Sequence, residues 1–158
     1  MLKGPVIRVL VSSGLFLIAA IISHSCTTGS CLEETESAAM AGFYETGTGN
    51  AIAPDTITVY GLGMESEPLY LKAANKKDLL LPLNPANGSS AFIITANGIT
   101  DTITVVYSSF PHLISKECGY TMYNTIEKCS STHNLIDTVF IQNPNVTTKY
   151  NENIRIFF

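Results

Sequence analysis

The stretch from Thr100 to Ser109, TDTITVVYSS, sets Ile103, Val105 and Tyr107 at alternate positions among threonines and other small or polar residues. A two-residue period buries one face of a strand and cannot bury one face of a helix. Runs of the same kind fill the chain from Ser37 onward: AAMAGFYET, DTITVYGLG, PLYLKA, DLLLPL, SAFIITA, HLISKECGYTMYNTIEKC, LIDTVFIQN and NIRIFF. They are rich in β-branched and aromatic residues and are separated by turn formers, and none carries a helical period. Asn87-Gly88 and Asn97-Gly98 fall between runs, where an Asn-Gly pair supplies the positive φ angles of a tight hairpin. Asp55, Asp101 and Asp137 each stand at the head of a run, a place where Asp commonly closes a turn. The spacing predicts an all-β chain, an antiparallel β-sandwich of eight to nine short strands of immunoglobulin or fibronectin type.

Ahead of these runs lies a different chemistry. Lys3 and Arg8, with no acidic residue near them, precede the apolar stretch Val9–Ile22. That order is the mark of an export signal. A membrane-spanning helix needs about 20 apolar residues, and this run is shorter and broken by Ser12, Ser13 and Gly14. Ser23-His24-Ser25-Cys26 resembles a bacterial lipobox, in which the cysteine is acylated before cleavage makes it the first residue; Ser23 stands where Leu is usual. Ser23 and Ser25 also suit the ordinary signal peptidase, which would cut the same bond. The expectation is a signal peptide over 1–25 and lipidation of Cys26, each buried methylene adding ~0.8 kcal/mol of membrane affinity. Residues 26–36, small, polar and acidic, then form a flexible tether to one domain over 37–158.

Cleavage leaves 133 residues, enough for one core and too few for two. It also removes Lys3 and Arg8, so that 7 basic residues face 13 acidic ones, a net charge of −6, with no basic cluster longer than Lys76-Lys77. Nucleic acid, bound mainly through phosphate neutralisation, is excluded as a partner, and anionic headgroups are no better a target. His112 and His133 lack any metal-binding spacing, no G-x-S-x-G elbow occurs, and GTGN at Gly47–Asn50 lacks the later glycine of a phosphate loop. A non-catalytic structural or interaction module is expected, with no cofactor. Phe43, Tyr44, Tyr60, Tyr120 and Tyr123 are its candidate aromatic contact surface, core packing being the competing role. The alternative is an enzyme or glycan-binding protein whose site is assembled from distant residues on the loops. Histidine clustered with acids in a pocket would favour the enzyme; a shallow aromatic patch on one sheet face would favour binding.

With Cys26 acylated, Cys31, Cys118 and Cys129 allow three single disulfides. Cys31–Cys118 would close a loop of roughly ninety residues, which on the chain-entropy model contributes roughly 4 kcal/mol. Cys118–Cys129 would bridge a hairpin folded from CGYTMYNTIEKC. Spacing alone leaves the choice open.

The succession CLEE, MAGFYE, VYGLG, LPLNP, DTITVVY, ECGYTMYN, LIDTVFIQNPNV and ENIRIFF resembles a family of small uncharacterised lipoproteins of the Bacteroidota, a domain of unknown function. The resemblance brings no activity. It implies a Gram-negative envelope location, an outer-membrane lipoprotein facing the periplasm or the surface, and a bond between Cys31 and Cys118 that leaves Cys129 as a buried thiol. In the same group, acidic residues soon after the lipid cysteine send some lipoproteins to the cell surface; Glu33, Glu34 and Glu36 are either such an address or a plain solvated leader. Asp55-Thr56-Ile57, Asp101-Thr102-Ile103 and Asp137-Thr138-Val139 resemble its O-glycosylation acceptors, with Thr56, Thr102 and Thr138 as the modified residues; a plain strand start reads the same. The sequons at Asn87 and Asn145 would matter only in a eukaryotic secretory pathway. The partners implied are the membrane, through the anchor, and another envelope protein or a glycan.

Overall fold

The computed structural model describes residues 30–158, and the expected signal peptide over 1–25 and the expected lipidation site Cys26 lie outside them. Ten strands follow in order: β1 (Ala38–Tyr44), β2 (Ile57–Gly61), β3 (Tyr70–Ala73), β4 (Asp78–Pro82), β5 (Ser89–Ala96), β6 (Ile99–Ser115), β7 (Gly119–Ser131), β8 (Thr138–Ile141), β9 (Asn145–Val146) and β10 (Glu152–Phe157). The described residues contain no helix. One sheet has the order β4-β1-β10-β8, the other β3-β2-β5-β6-β7-β9. The two-residue period places Ala39, Ala41, Phe43, Leu79, Leu81, Ile154 and Ile156 of the first sheet in a single buried cluster. Ile57, Val59, Phe92, Ile94, Ile103, Val105 and Tyr107 of the second join the same cluster. Both inner faces therefore feed one core.

Three features depart from the expected short antiparallel strands. The first and last strands lie side by side and parallel, Ala41 opposite Ile154 and Phe43 opposite Ile156, in the middle of the four-stranded sheet. An immunoglobulin sheet order does not contain that arrangement of first and last strands at its centre. The pair is interrupted by a register shift between Met40 and Ala41, beside which Asn153 is buried. Its side chain accepts from the Met40 amide at 3.0 Å and donates to the carbonyls of Asn143 and Asn145 at 3.0 and 2.9 Å, so the irregularity leaves this buried amide paired. Second, β6 is 17 residues long and β7 is 13. β5 accompanies β6 only as far as Ser89 opposite Val106, beyond which β6 and β7 continue as a projecting hairpin. Third, β9 adds a short strand on the outer side of β7 that no run announced.

The two Asn-Gly pairs part company. Asn97 (φ 50°) and Gly98 (φ 83°) form the tight turn between β5 and β6. At Asn87-Gly88 only the glycine is at positive φ, and the segment crosses from β4 in one sheet to β5 in the other. Pro82 and Pro85, flanking the end of β4, leave no run long enough there to fold back as a hairpin.

Candidate functional site

On β1 and β10 the residues that alternate with the core face the outside of the four-stranded sheet, and there Tyr44 lies opposite Phe157. Their rings stack with centroids 5.4 Å apart. Phe140 of β8, 56% exposed, meets Phe157 edge-on at 5.6 Å. The Arg155 guanidinium sits 4.8 Å from the Tyr44 ring centroid, and its Nε donates to Glu152 at 2.5 Å. The Tyr44 hydroxyl donates to the other Glu152 oxygen. That hydrogen bond, with burial and the carboxylate charge adding to it, holds the phenol above its ordinary pKa, so Tyr44 stays a protonated donor. Arg155 is raised in turn, chiefly by the same carboxylate.

Gly42 provides the space for this group. A Cβ there would come within 2.7 Å of a Glu152 carboxylate oxygen and 3.1 Å of the Tyr44 ring. Partly exposed to solvent, the Glu152–Arg155 pair is a weak source of stability; what it fixes is position. The result is a shallow platform of three rings with one oriented guanidinium and one oriented carboxylate at its side, suited to stacking and hydrogen bonding.

The five aromatic residues offered as a contact surface, with core packing expected for most of them, do not meet. Phe43 is fully buried, because its position in β1 has the parity of Ala39 and Ala41. Tyr60 is half-buried on β2 in the other sheet. Tyr120 is exposed near the hairpin tip, and Tyr123 stacks on His112 with centroids 4.1 Å apart. Only Tyr44 belongs to the platform. Phe140, Arg155, Phe157 and Glu152 were not singled out from the sequence, although Arg155 between Ile154 and Ile156 marks the outward position in NIRIFF.

The aspartates also separate. Asp101 is inside β6 and 2% exposed. Its carboxylate accepts from the Thr132 hydroxyl at 2.5 Å and from the amides of Asn134, Leu135 and Ile136 at 2.9, 2.7 and 2.9 Å. It thus ties down the segment between β7 and β8, which is why an acid can occupy a core-facing position. Burial pushes this carboxyl up, but the hydroxyl and amide donors outweigh it and hold it below the ordinary range. His133 is used in the same segment, its Nδ1 donating to the Ile136 carbonyl at 3.0 Å. His112 is on the hairpin, far along β6 from Asp101. Among the described residues no group of three or more His, Cys, Asp or Glu is placed to hold a metal.

Thr56 is exposed just before β2, whereas Thr102 and Thr138 are half-buried within β6 and β8. Cys31 and Cys118 are disulfide-bonded and Cys129 is a free thiol. The stretch CGYTMYNTIEKC does not fold into a hairpin: it runs on as β7, which sets Cys118 and Cys129 some 35 Å apart. Burial pushes the Cys129 thiol up to about 11. The segment just before β1 is held against β7, with the Thr121 hydroxyl donating to the Thr35 carbonyl and the Ser37 hydroxyl to the Met122 carbonyl, both at 2.5 Å. A separate cleft of about 250 Å³ opens at the VYGLG loop, lined by Leu62, Met64, Leu69, Pro82 and Phe92. No helix among the described residues is long and apolar enough to cross a membrane.

The profile of a family of unknown function, DUF6452, matches residues 56–158. No curated protein and no solved structure matches the chain.

Proposed function

The chain belongs to the family of unknown function DUF6452, and on that footing we propose that it is a non-catalytic interaction module of the cell envelope. In this reading it is a bacterial lipoprotein of the Bacteroidota type, exported by residues 1–25 and anchored to the outer membrane by acyl chains on Cys26. Its two sheets act as a sandwich, immunoglobulin-like in layering rather than in strand order. The outer face of the four-stranded sheet presents Tyr44, Phe140 and Phe157 to another envelope protein or to a glycan.

One observation carries the reading: the ring platform lies on the outer face of its sheet, Phe140 exposed and Tyr44 and Phe157 half-buried, and its polar groups are already oriented by Gly42, Glu152 and Arg155. Rings that only filled a core would have no need of that arrangement on the outside. The test has two arms. Cys26→Ser should shift the protein from membranes to the soluble envelope fraction, since the acyl chains are then its membrane anchor. A photoreactive residue at Phe140 should give a discrete adduct in intact cells that the same residue at Tyr60, on the opposite sheet, does not. Retention of Cys26→Ser on membranes after a high-salt wash overturns the anchor; equal labelling from Phe140 and Tyr60 overturns the face.

A further inference from the structure

The β6–β7 hairpin outruns β5 on one side and, on the other, runs past β9, which pairs only Asn124 and Thr125 of β7. Past Val106, where β5 ends, β6 continues for nine residues, about 30 Å of strand, to a turn over Lys116–Cys118. Leu113 lies opposite Tyr120 near this tip, so the two side chains share a face, and they are 48% and 72% exposed. They are too far along the hairpin to reach the core that Tyr107 and Ile126 complete. Among the described residues neither belongs to the core cluster nor packs against it.

The disulfide gives the tip an address. Cys118 is at the turn and is bonded to Cys31. Five residue steps separate Cys31 from Cys26, a reach of at most about 18 Å when fully extended. A disulfide spans ~6 Å between Cα atoms. An acylated Cys26 has its Cα at the membrane surface, so Cys118 is confined to within about 25 Å of that surface, and Tyr120 is two residues further on. A tether joined only at Ser37 could extend twice as far and would leave the domain free to tumble. The bond instead brings one end of the molecule down.

We propose that the tip of the β6–β7 hairpin is a membrane-contact element, Leu113 and Tyr120 seating in the headgroup region of the membrane that holds the Cys26 lipid. The inference rests on the lipid anchor of the preceding section. Tyrosine suits that depth, its ring apolar and its hydroxyl wet. Near the two cysteines in sequence, Glu33, Glu34 and Glu117 outnumber Lys116, so the contact is apolar rather than electrostatic and does not depend on anionic lipid. The platform at Tyr44 and Phe157 lies at the far end of β1 from Ala38, whose partner Pro82 and neighbour Ser37 lie on the hairpin side. Hairpin-down therefore means platform-up.

The chain has no tryptophan, so a single introduced one reports alone. The full-length acylated protein carrying Tyr120→Trp, reconstituted in phosphatidylcholine vesicles, should show blue-shifted emission that brominated phosphatidylcholine quenches and 0.5 M salt leaves unchanged. The same protein with Phe140→Trp should be neither shifted nor quenched. A ten-residue Gly/Ser insertion after Thr27, which leaves the disulfide and the fold intact, should reduce the Tyr120→Trp quenching. Vesicle flotation and intact mass are read on every sample. Floated, acylated protein whose Tyr120→Trp emission is unquenched overturns the hairpin contact alone and points to a protein partner for the tip. Absence of the acyl mass on Cys26 overturns the anchor, and the inference with it.

Discussion

Asp101 is the one charged side chain buried among the described residues, and it has four donors aimed at it. Hydrogen bonds to a charged acceptor contribute about 1.5–3 kcal/mol, and a buried donor that loses its partner keeps the full cost of desolvation. Asp101→Asn preserves shape but turns an NH₂ toward at least one amide. It should destabilise the protein by about 2–3 kcal/mol, read as a lowered midpoint of chemical denaturation with an unchanged slope. The acid dependence follows from the direction of the shift. The folded carboxyl holds its proton less tightly than the unfolded one, so its contribution is present in full above the ordinary aspartate pKa of about 4 and is lost as the pH falls through the lower folded value. Asp101→Asn should therefore flatten the loss of stability below pH ~4. A variant as acid-sensitive as the parent would show that other carboxylates govern it. The sequence marked Asp101 as a turn closer, and it does close a segment. The segment is one more than thirty residues away, which an aspartate at the head of a run gives no means of knowing.

At the scale of elements, the strands were readable wherever one face is buried. Ile103, Val105 and Tyr107 point inward as their alternation requires, and Asn97-Gly98 makes the tight turn that its residue types demand. What could not be read is how far a strand outlives its neighbours, because β6 and β7 continue as a hairpin through residues such as Pro111 and His112 that carry no inward alternation. That continuation decides the cysteine pairing, since only a turn inside CGYTMYNTIEKC could bring Cys118 to Cys129. Non-reducing digestion should yield one linked pair, joining the Cys31 peptide to the Cys118 peptide. Cys129, raised by burial, should resist alkylation at pH 8 until the protein unfolds. Cys31→Ser should cost about 2–5 kcal/mol, and adding Cys118→Ser should cost little more, because the two residues act through one bond. Additive losses, or rapid alkylation of native Cys129, would contradict this pairing and burial.

For the whole molecule, the decisive contact is between the two ends of the described fold. β1 and β10 are neighbours, and no local pattern announces a parallel pair between strands more than a hundred residues apart. The same fact bears on where the folding unit begins. The family profile spans residues 56–158, yet β1 lies before it and occupies the gap between β4 and β10. Without β1, β4 has no neighbour in its sheet and the inner faces of Leu79, Leu81, Ile154 and Ile156 lose Ala39, Ala41 and Phe43, all fully buried. Phe→Ala truncations in cores cost about 3–5 kcal/mol, and a domain of this size has only ~5–15 kcal/mol to lose. Residues 56–158 expressed alone should therefore show no cooperative thermal transition and poor amide dispersion. The fair reference is residues 30–158 with Cys31→Ser, so that loss of the disulfide is common to both. A cooperative transition in the 56–158 fragment with the same denaturant slope as the reference would show that β1 is an accessory strand, and that the four-stranded sheet, including the face that carries Tyr44, is not required for the fold.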